Sequence, residues 1–355
     1  MEIEIESRFL ITVLNAITGP NGKIAVKAPL FDMNLVEFNY GDLSSARVVG
    51  KAEYFMGLNT VRLRIRKSEV FDREVPGYDD FRDALLSSGV IKPPNTEDVR
   101  ERILRKYRLR AENPIEYPRP IVLAVDTNVL FYRIISNFLN DIPYRLTFAV
   151  SECVKREIAR KANLRVRDLS ELRRGLSFRG LGTTRYVYDG ILSLAARKAL
   201  IALAELEYVK SNHMTYECSC EGIGDRVIAK SYRDFMRENG VEVVVLTSDD
   251  RMRAYTSTVG LRSLFLKTPQ EIDVKLTYKN LVKLIYTLST YYITLKLYSG
   301  LRWVEVRGVY PGKTMERWVE EKVVVSSPDR GIMEKIKKYV DKVHAVEEAL
   351  RKAND

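Results

Sequence analysis

The chain has 355 residues, 46% apolar and 30% charged, with a formal net charge of +11. That length exceeds most single domains and predicts two or three compact units. Three cysteines, an odd number in a long chain, predict a reducing compartment without a disulfide framework. The longest apolar-looking stretch, residues 276–297, is interrupted by Lys279, Lys283 and Lys296, which argues against a membrane span. MEIEIESRFL has neither a basic leader nor an apolar signal core, so a cytoplasmic protein is expected. Gln270 is the only glutamine, and Lys, Arg and Glu abound, a composition that leans toward thermophile proteins.

Residues 1–110 read as a mostly-β region. EIEIESRF, KIAVKAPLF, LVEFNY, ARVVGKAEYF and VRLRIRKSEVF alternate or are rich in β-formers, with Gly, Asn, Asp and Pro between them. A short helix is expected over 79–86 and a charged one over 96–110, with Thr96 as N-cap. Pro114, Pro118 and Pro120 mark residues 111–120 as a linker. From Ile121 the pattern changes: IVLAV is a continuous apolar run of the kind a parallel strand buried on both faces requires. Helical patterns then alternate with RLTFAV and VEVVVL, predicting an α/β unit over 121–269 with a parallel sheet flanked by helices. Residues 270–355 read as an α+β region: a Tyr-rich helix over 278–298 with Leu281, Leu284, Ile285, Leu288 and Leu295 on one face, a strand pair, and a charged final helix.

Four acids in the α/β unit share one logic. Asp126 follows IVLAV at the carboxyl end of its strand, the edge where ligand crevices form in open α/β sheets. Glu157 lies six residues after Ser151, a good N-cap, and so belongs to the second helical turn. Asp225 opens a helical pattern after Gly224, and Asp249 follows VVVLTS beyond another strand end. Helix-start acids have a bland explanation in complementing the helix dipole, but an acid ending a buried apolar strand is costly without a partner. Carboxylates brought together repel one another, and Mg²⁺ or Mn²⁺ would relieve that repulsion. Such an ion can activate water for phosphodiester hydrolysis. The chain has only His213 and His344 to offer as a histidine base. Charge points the same way: residues 151–200 hold 12 basic and 5 acidic side chains, +7, as suits a polyanion held beside its site of attack.

VDTNVL, SECVKRE, GDRVIA and TSD after an apolar strand, in that order, resemble the PIN-domain nucleases over roughly 121–268. The resemblance implies a Rossmann-like fold, Mg²⁺ or Mn²⁺ dependence and cleavage of single-stranded or structured RNA. Carried over residue by residue, it makes Asp126, Glu157, Asp225 and Asp249 the metal-site acids. Thr247 and Asn128 become hydrogen-bonding groups around them, and Asp250 an additional acid. The large flanks depart from the small toxin nucleases of that family. The expected activity is an endoribonuclease in RNA processing or decay. Two alternatives stand beside it: a structure-specific, flap-type DNA nuclease, and a non-catalytic RNA-binding or assembly module.

Arg156, Arg160 and Lys161, together with Arg173, Arg174, Arg179 and Arg185 of the Gly-rich stretch 173–185, are the expected nucleic-acid contacts. YPGKT at 310–314 resembles the end of a phosphate-binding loop, but Arg307 stands where the pattern needs Gly. It is also expected between two strands, so a turn is predicted and no nucleotide cofactor. His213, Cys218 and Cys220 fit no usual structural zinc pattern. Self-association is left open.

Overall fold

The computed structural model describes residues 1–19, 22–30, 33–50, 73–177 and 186–354. The strands in chain order are β1 (Glu2–Glu6), β2 (Lys23–Ala28), β3 (Met33–Asn39), β4 (Asp42–Val48), β5 (Ile121–Val125), β6 (Thr147–Ser151), β7 (Met214–Cys218), β8 (Glu242–Thr247), β9 (Arg262–Phe265), β10 (Thr294–Ser299), β11 (Arg302–Arg307) and β12 (Lys322–Ser326). They form two sheets and the chain falls into two compact units, one of Met1–Leu85, Arg165–Arg197 and Asp273–Asp355, the other of Leu86–Leu164 and Lys198–Ile272.

The first unit holds an antiparallel seven-stranded sheet in the order β1-β12-β11-β10-β2-β3-β4. Alternate residues of its strands, among them Ile24, Val26, Leu297, Val304, Val306, Val323 and Val325, are buried, the period-two pattern of a sheet with one face in a core. The helix Leu10–Ile17 packs on β10, β11 and the helices Tyr278–Tyr291 and Arg330–Asn354. The division into 1–110 and 270–355 is therefore replaced by one sheet built from both ends of the chain. Residues 7–17, partly expected as strand, turn helical because Leu10, Val13, Leu14 and Ile17 bury one helical face. The Tyr-rich helix ends at Tyr291, and Ile293 at φ 70° starts the reversal into β10, so Leu295 is a strand residue. Residues 315–319, expected as strand, are a short helix. The strand expected over 61–71 lies outside the described residues.

The second unit holds a parallel five-stranded sheet, β7-β6-β5-β8-β9, flanked by helices. All five residues of β5 are buried, and five of six in β8, as a sheet covered on both faces requires. The expected boundary at 111–120 gives way here. The helix Thr96–Glu112 buries Val99, Ile103 and Tyr107, and Lys106 pairs with Glu242 of β8 at 2.5 Å. Its N-cap is Asn95 rather than Thr96; the Asn95 amide is committed to Phe265 O at 2.7 Å. No helix among the described residues is long and apolar enough to cross a membrane.

Candidate metal centre at the carboxyl edge of the parallel sheet

From β5 the chain proceeds to β6 and β7 on one side of the sheet, then crosses to β8 and β9 on the other. The strand order therefore reverses between β5 and β8, where open α/β sheets leave a crevice at the carboxyl edge. Val125 pairs with Leu246 there, which sets Asp126 beside Thr247. The Thr247 hydroxyl donates to Asp126 Oδ2 at 2.7 Å and accepts from Asp249 N at 2.9 Å. One side chain thus spans two of the expected acids.

Glu157 comes to the same edge. Ser151 caps its helix, Glu152–Ala162, by accepting from Cys153 N. Thr127 Oγ1, from the residue after Asp126, donates to Glu157 Oε2 at 2.8 Å, and Lys161 Nζ donates to Oε1 at 2.8 Å. Asp225 opens the helix Asp225–Asn239 after Gly224, whose φ of 100° is open to glycine and strained for other residues. That helix is latched to the edge by Tyr232, whose hydroxyl donates to Val125 O at 2.6 Å and accepts from Ser151 N at 3.0 Å.

The electrostatics join the four. Burial pushes the Asp126 carboxyl up to about 7, against the hydrogen bonds from Thr247 and Thr127 N, and the charges of Asp225 and Asp249 push it further. Asp225 is also raised, by burial and then by the charges of Asp249 and Glu157, with Arg251 opposing. Asp126 and Asp249 do cap helix starts, through Thr127 N and Arg251 N. A capping carboxylate alone would be held low; burial and mutual repulsion outweigh the cap at Asp126.

These carboxylates are hard oxygen donors of the kind Mg²⁺ and Mn²⁺ take. Among the described residues no three His, Cys, Asp or Glu side chains form a ready-made cage. Mg²⁺ is commonly held by one or two carboxylates with its remaining positions filled by water, so the donor set fits such an ion without a closed cage.

Other expected residues are placed differently. Asn128 is half-buried, and among the described residues no side-chain hydrogen bond joins it to the acids; Thr127 occupies that role. Asp250 is exposed and pairs with Arg253 at 2.8 Å, one helical turn on. Arg156 donates to the Cys220 carbonyl instead of standing clear for a substrate. Arg160 is exposed on the same helix as Glu157, and Lys161 is half-buried over the Phe131 ring. Arg173 and Arg174 belong to the other unit, where Arg173 donates to Val187 O at 2.9 Å. Arg179 and Arg185 lie outside the described residues.

Thr127 and Tyr232 were not singled out from sequence. Thr127 sits inside the VDTNVL motif itself, and Tyr232 lies seven residues after Asp225, on the same helical face.

The expectation of no disulfide is corrected: Cys153 and Cys220 are bonded, with Cα atoms 5.6 Å apart. Ser151 and Cys218 pair across β6 and β7, and each half-cystine lies two residues beyond one of them, so parallel register brings them together. Cys218 is a buried thiol, pushed up to about 12 by burial. The turn expected at YPGKT is present at Pro311 and Gly312, but it leads into the short helix Met315–Val319, capped by Thr314, instead of directly into a strand. Lys313 is turned inward, donating to Gly308 O at 2.8 Å and Lys322 O at 2.6 Å, with its ammonium 3.8 Å from the Trp318 ring centre.

No family model and no curated protein matches the chain. A solved structure described as "A domain of a functionally unknown protein from Methanocaldococcus jannaschii DSM 2661" is similar at 18% identity over 44% of this chain and 97% of that chain, with a TM-score of 0.28. A likeness at that level carries no argument about fold or function.

Proposed function

We propose that the parallel-sheet unit is a PIN-like nuclease domain and that the protein is a Mg²⁺- or Mn²⁺-dependent endoribonuclease. The observation that carries this reading is the carboxylate set at the sheet's switch point, with Asp126 only 3% exposed and raised to about 7 beside the charges of Asp225 and Asp249. Buried like charges without compensation are destabilising, and clusters of perturbed carboxyls in a crevice are the common mark of a functional site. A bound divalent ion would supply an activated water and charge stabilisation at a phosphodiester. One or two of Asp126, Asp225 and Asp249 would ligate it, with water in its remaining positions. Thr247 would orient Asp126, and Thr127 and Lys161 would orient Glu157. Arg160 and Lys155 project from the Glu157 helix as phosphate contacts, with Lys155 now paired to Glu217 at 2.7 Å.

One observation favours a second reading, a non-catalytic RNA-binding module: both Glu157 oxygens already have protein partners. Cleavage separates the two readings. Wild-type protein with Mn²⁺ is expected to cut a labelled single-stranded RNA, with a matched DNA oligonucleotide cut far less. Asp126→Asn should lose activity by about a hundredfold or more, the scale on which a removed charge-stabilising group acts, while remaining folded by circular dichroism. Full activity in Asp126→Asn would remove the assignment, and RNA binding without cleavage by wild type would favour the module.

A further inference from the structure

We propose that the Cys153–Cys220 disulfide is a redox-sensitive tether that sets the spacing between Glu157 and Asp225, making cation binding depend on its oxidation state. The inference rests on the carboxylate cluster being a cation site. Cys153 lies four residues before Glu157 in the helix Glu152–Ala162, so the two occupy one helical face a turn apart. Cys220 lies five residues before Asp225, and between them Gly222 and Gly224 stand at φ of 109° and 100°.

That connection contains no regular structure. Ile223 at its tip is 79% exposed and gives it no apolar anchor. Its fastenings come from the first turn and a half of the helix that carries Glu157. They are the Cys153 sulfur, Arg156 donating to the Cys220 carbonyl, and Glu152 accepting from Cys220 N at 3.4 Å. Arg156 Nη2 also lies 3.1 Å from Cys153 Sγ.

The acids themselves work against this arrangement. Asp225 feels the charges of Asp249 and Glu157, and like charges drive apart when nothing restrains them. The covalent bond is the restraint that does not weaken as that repulsion grows. With the bond intact, Asp225 is kept near its neighbours and the site is pre-organised for a cation. With it broken, the first turn of the helix Asp225–Asn239, ahead of its first buried side chain Ile228, can fray and carry Asp225 off its neighbours while Tyr232 still holds the rest of the helix. Both half-cystines are buried, 4% and 5% exposed, so the bond opens to a dithiol reductant only after local opening. Reduction by dithiothreitol moves two electrons: each cysteine sulfur takes up a proton, and the reagent's two thiols close into its own ring disulfide.

The test is calorimetric titration of Mn²⁺ into the full chain, oxidised and dithiothreitol-reduced, with circular dichroism confirming that each form is folded. Reduction, and the variant Cys153→Ser/Cys220→Ser, should each weaken the Mn²⁺ Kd by roughly tenfold or more, the scale of lost outer support around a metal. A second variant keeps the disulfide: two glycines inserted after Gly222 slacken the connection and should weaken binding similarly with Tm nearly unchanged. That variant also decides the matter should the serine variant fail to fold. Equal affinity in oxidised and reduced protein, or full affinity in the insertion variant, overturns the tether while leaving the cation site standing. No Mn²⁺ binding by the oxidised wild type removes the cation site and the tether with it.

Discussion

Each unit buries an ionisable group that is pushed to about 7, and the two are treated in opposite ways. In the antiparallel unit Lys313 is pushed down by burial, yet its ammonium has two carbonyl acceptors and the rings of Trp318, Tyr286 and Tyr310 around it. In the parallel unit Asp126 is pushed up by burial and then further by other carboxylates. The first charge is satisfied by the protein and pins the chain between β11 and β12. The second is left in a field of its own sign, the kind of perturbed carboxyl that supports the cation site proposed above.

That contrast can be broken by mutation. Above pH 7, where Lys313 carries little charge in the fold, Lys313→Ala should be the most damaging change to stability, about 3 kcal/mol, because it removes packing against Trp318 and the donor to Gly308 O and Lys322 O; chemical denaturation measures it. A loss under about 0.5 kcal/mol would mean that the cage contributes little. Asp126→Asn should act with the opposite sign, raising Tm by a few degrees at pH 8 without metal, since it removes an uncompensated charge.

The pH dependences should diverge too. The folded-state value of Asp126, about 7, lies above the ordinary 3.8. Its charge therefore weakens folding above pH 7, and the effect disappears as pH falls from 7 toward 4. The folded-state value of Lys313, about 7, lies below the ordinary 10.5. Its ammonium weakens folding below pH 7, and that effect disappears as pH rises from 7 toward 10.5. Thermal melts of wild type and Asp126→Asn from pH 4 to 9 should converge at the acid end; a constant gap would contradict the assignment of Asp126.

The elements that carry the four acids were more legible in the sequence than the architecture, for reasons of range. β5 and β8 declare themselves as unbroken apolar runs, and Ser151 and Gly224 announce helix starts locally, so the four acids could be placed on their elements before any fold was known. What joined them was non-local. The β1–β12 and β2–β10 pairings connect residues about 270 to 320 apart, and no local pattern encodes such contacts. The disulfide depends on the β6–β7 register, and β7 lacks an apolar run, its pattern being mostly exposed or half-buried. The basic stretch 151–200 is divided between the two units, so its single charge count describes neither of them alone.

The central claim is that the charges of Asp126, Asp225 and Asp249, unlike that of Glu157, which Lys161 pairs, await a divalent ion. Calorimetric titration of Mn²⁺ into oxidised wild type and Asp126→Asn tests it most directly. Saturable binding by wild type, weakened by roughly a hundredfold or abolished in the variant, is the predicted result. Absence of binding in wild type at millimolar Mn²⁺, or equal binding in both proteins, would contradict the account.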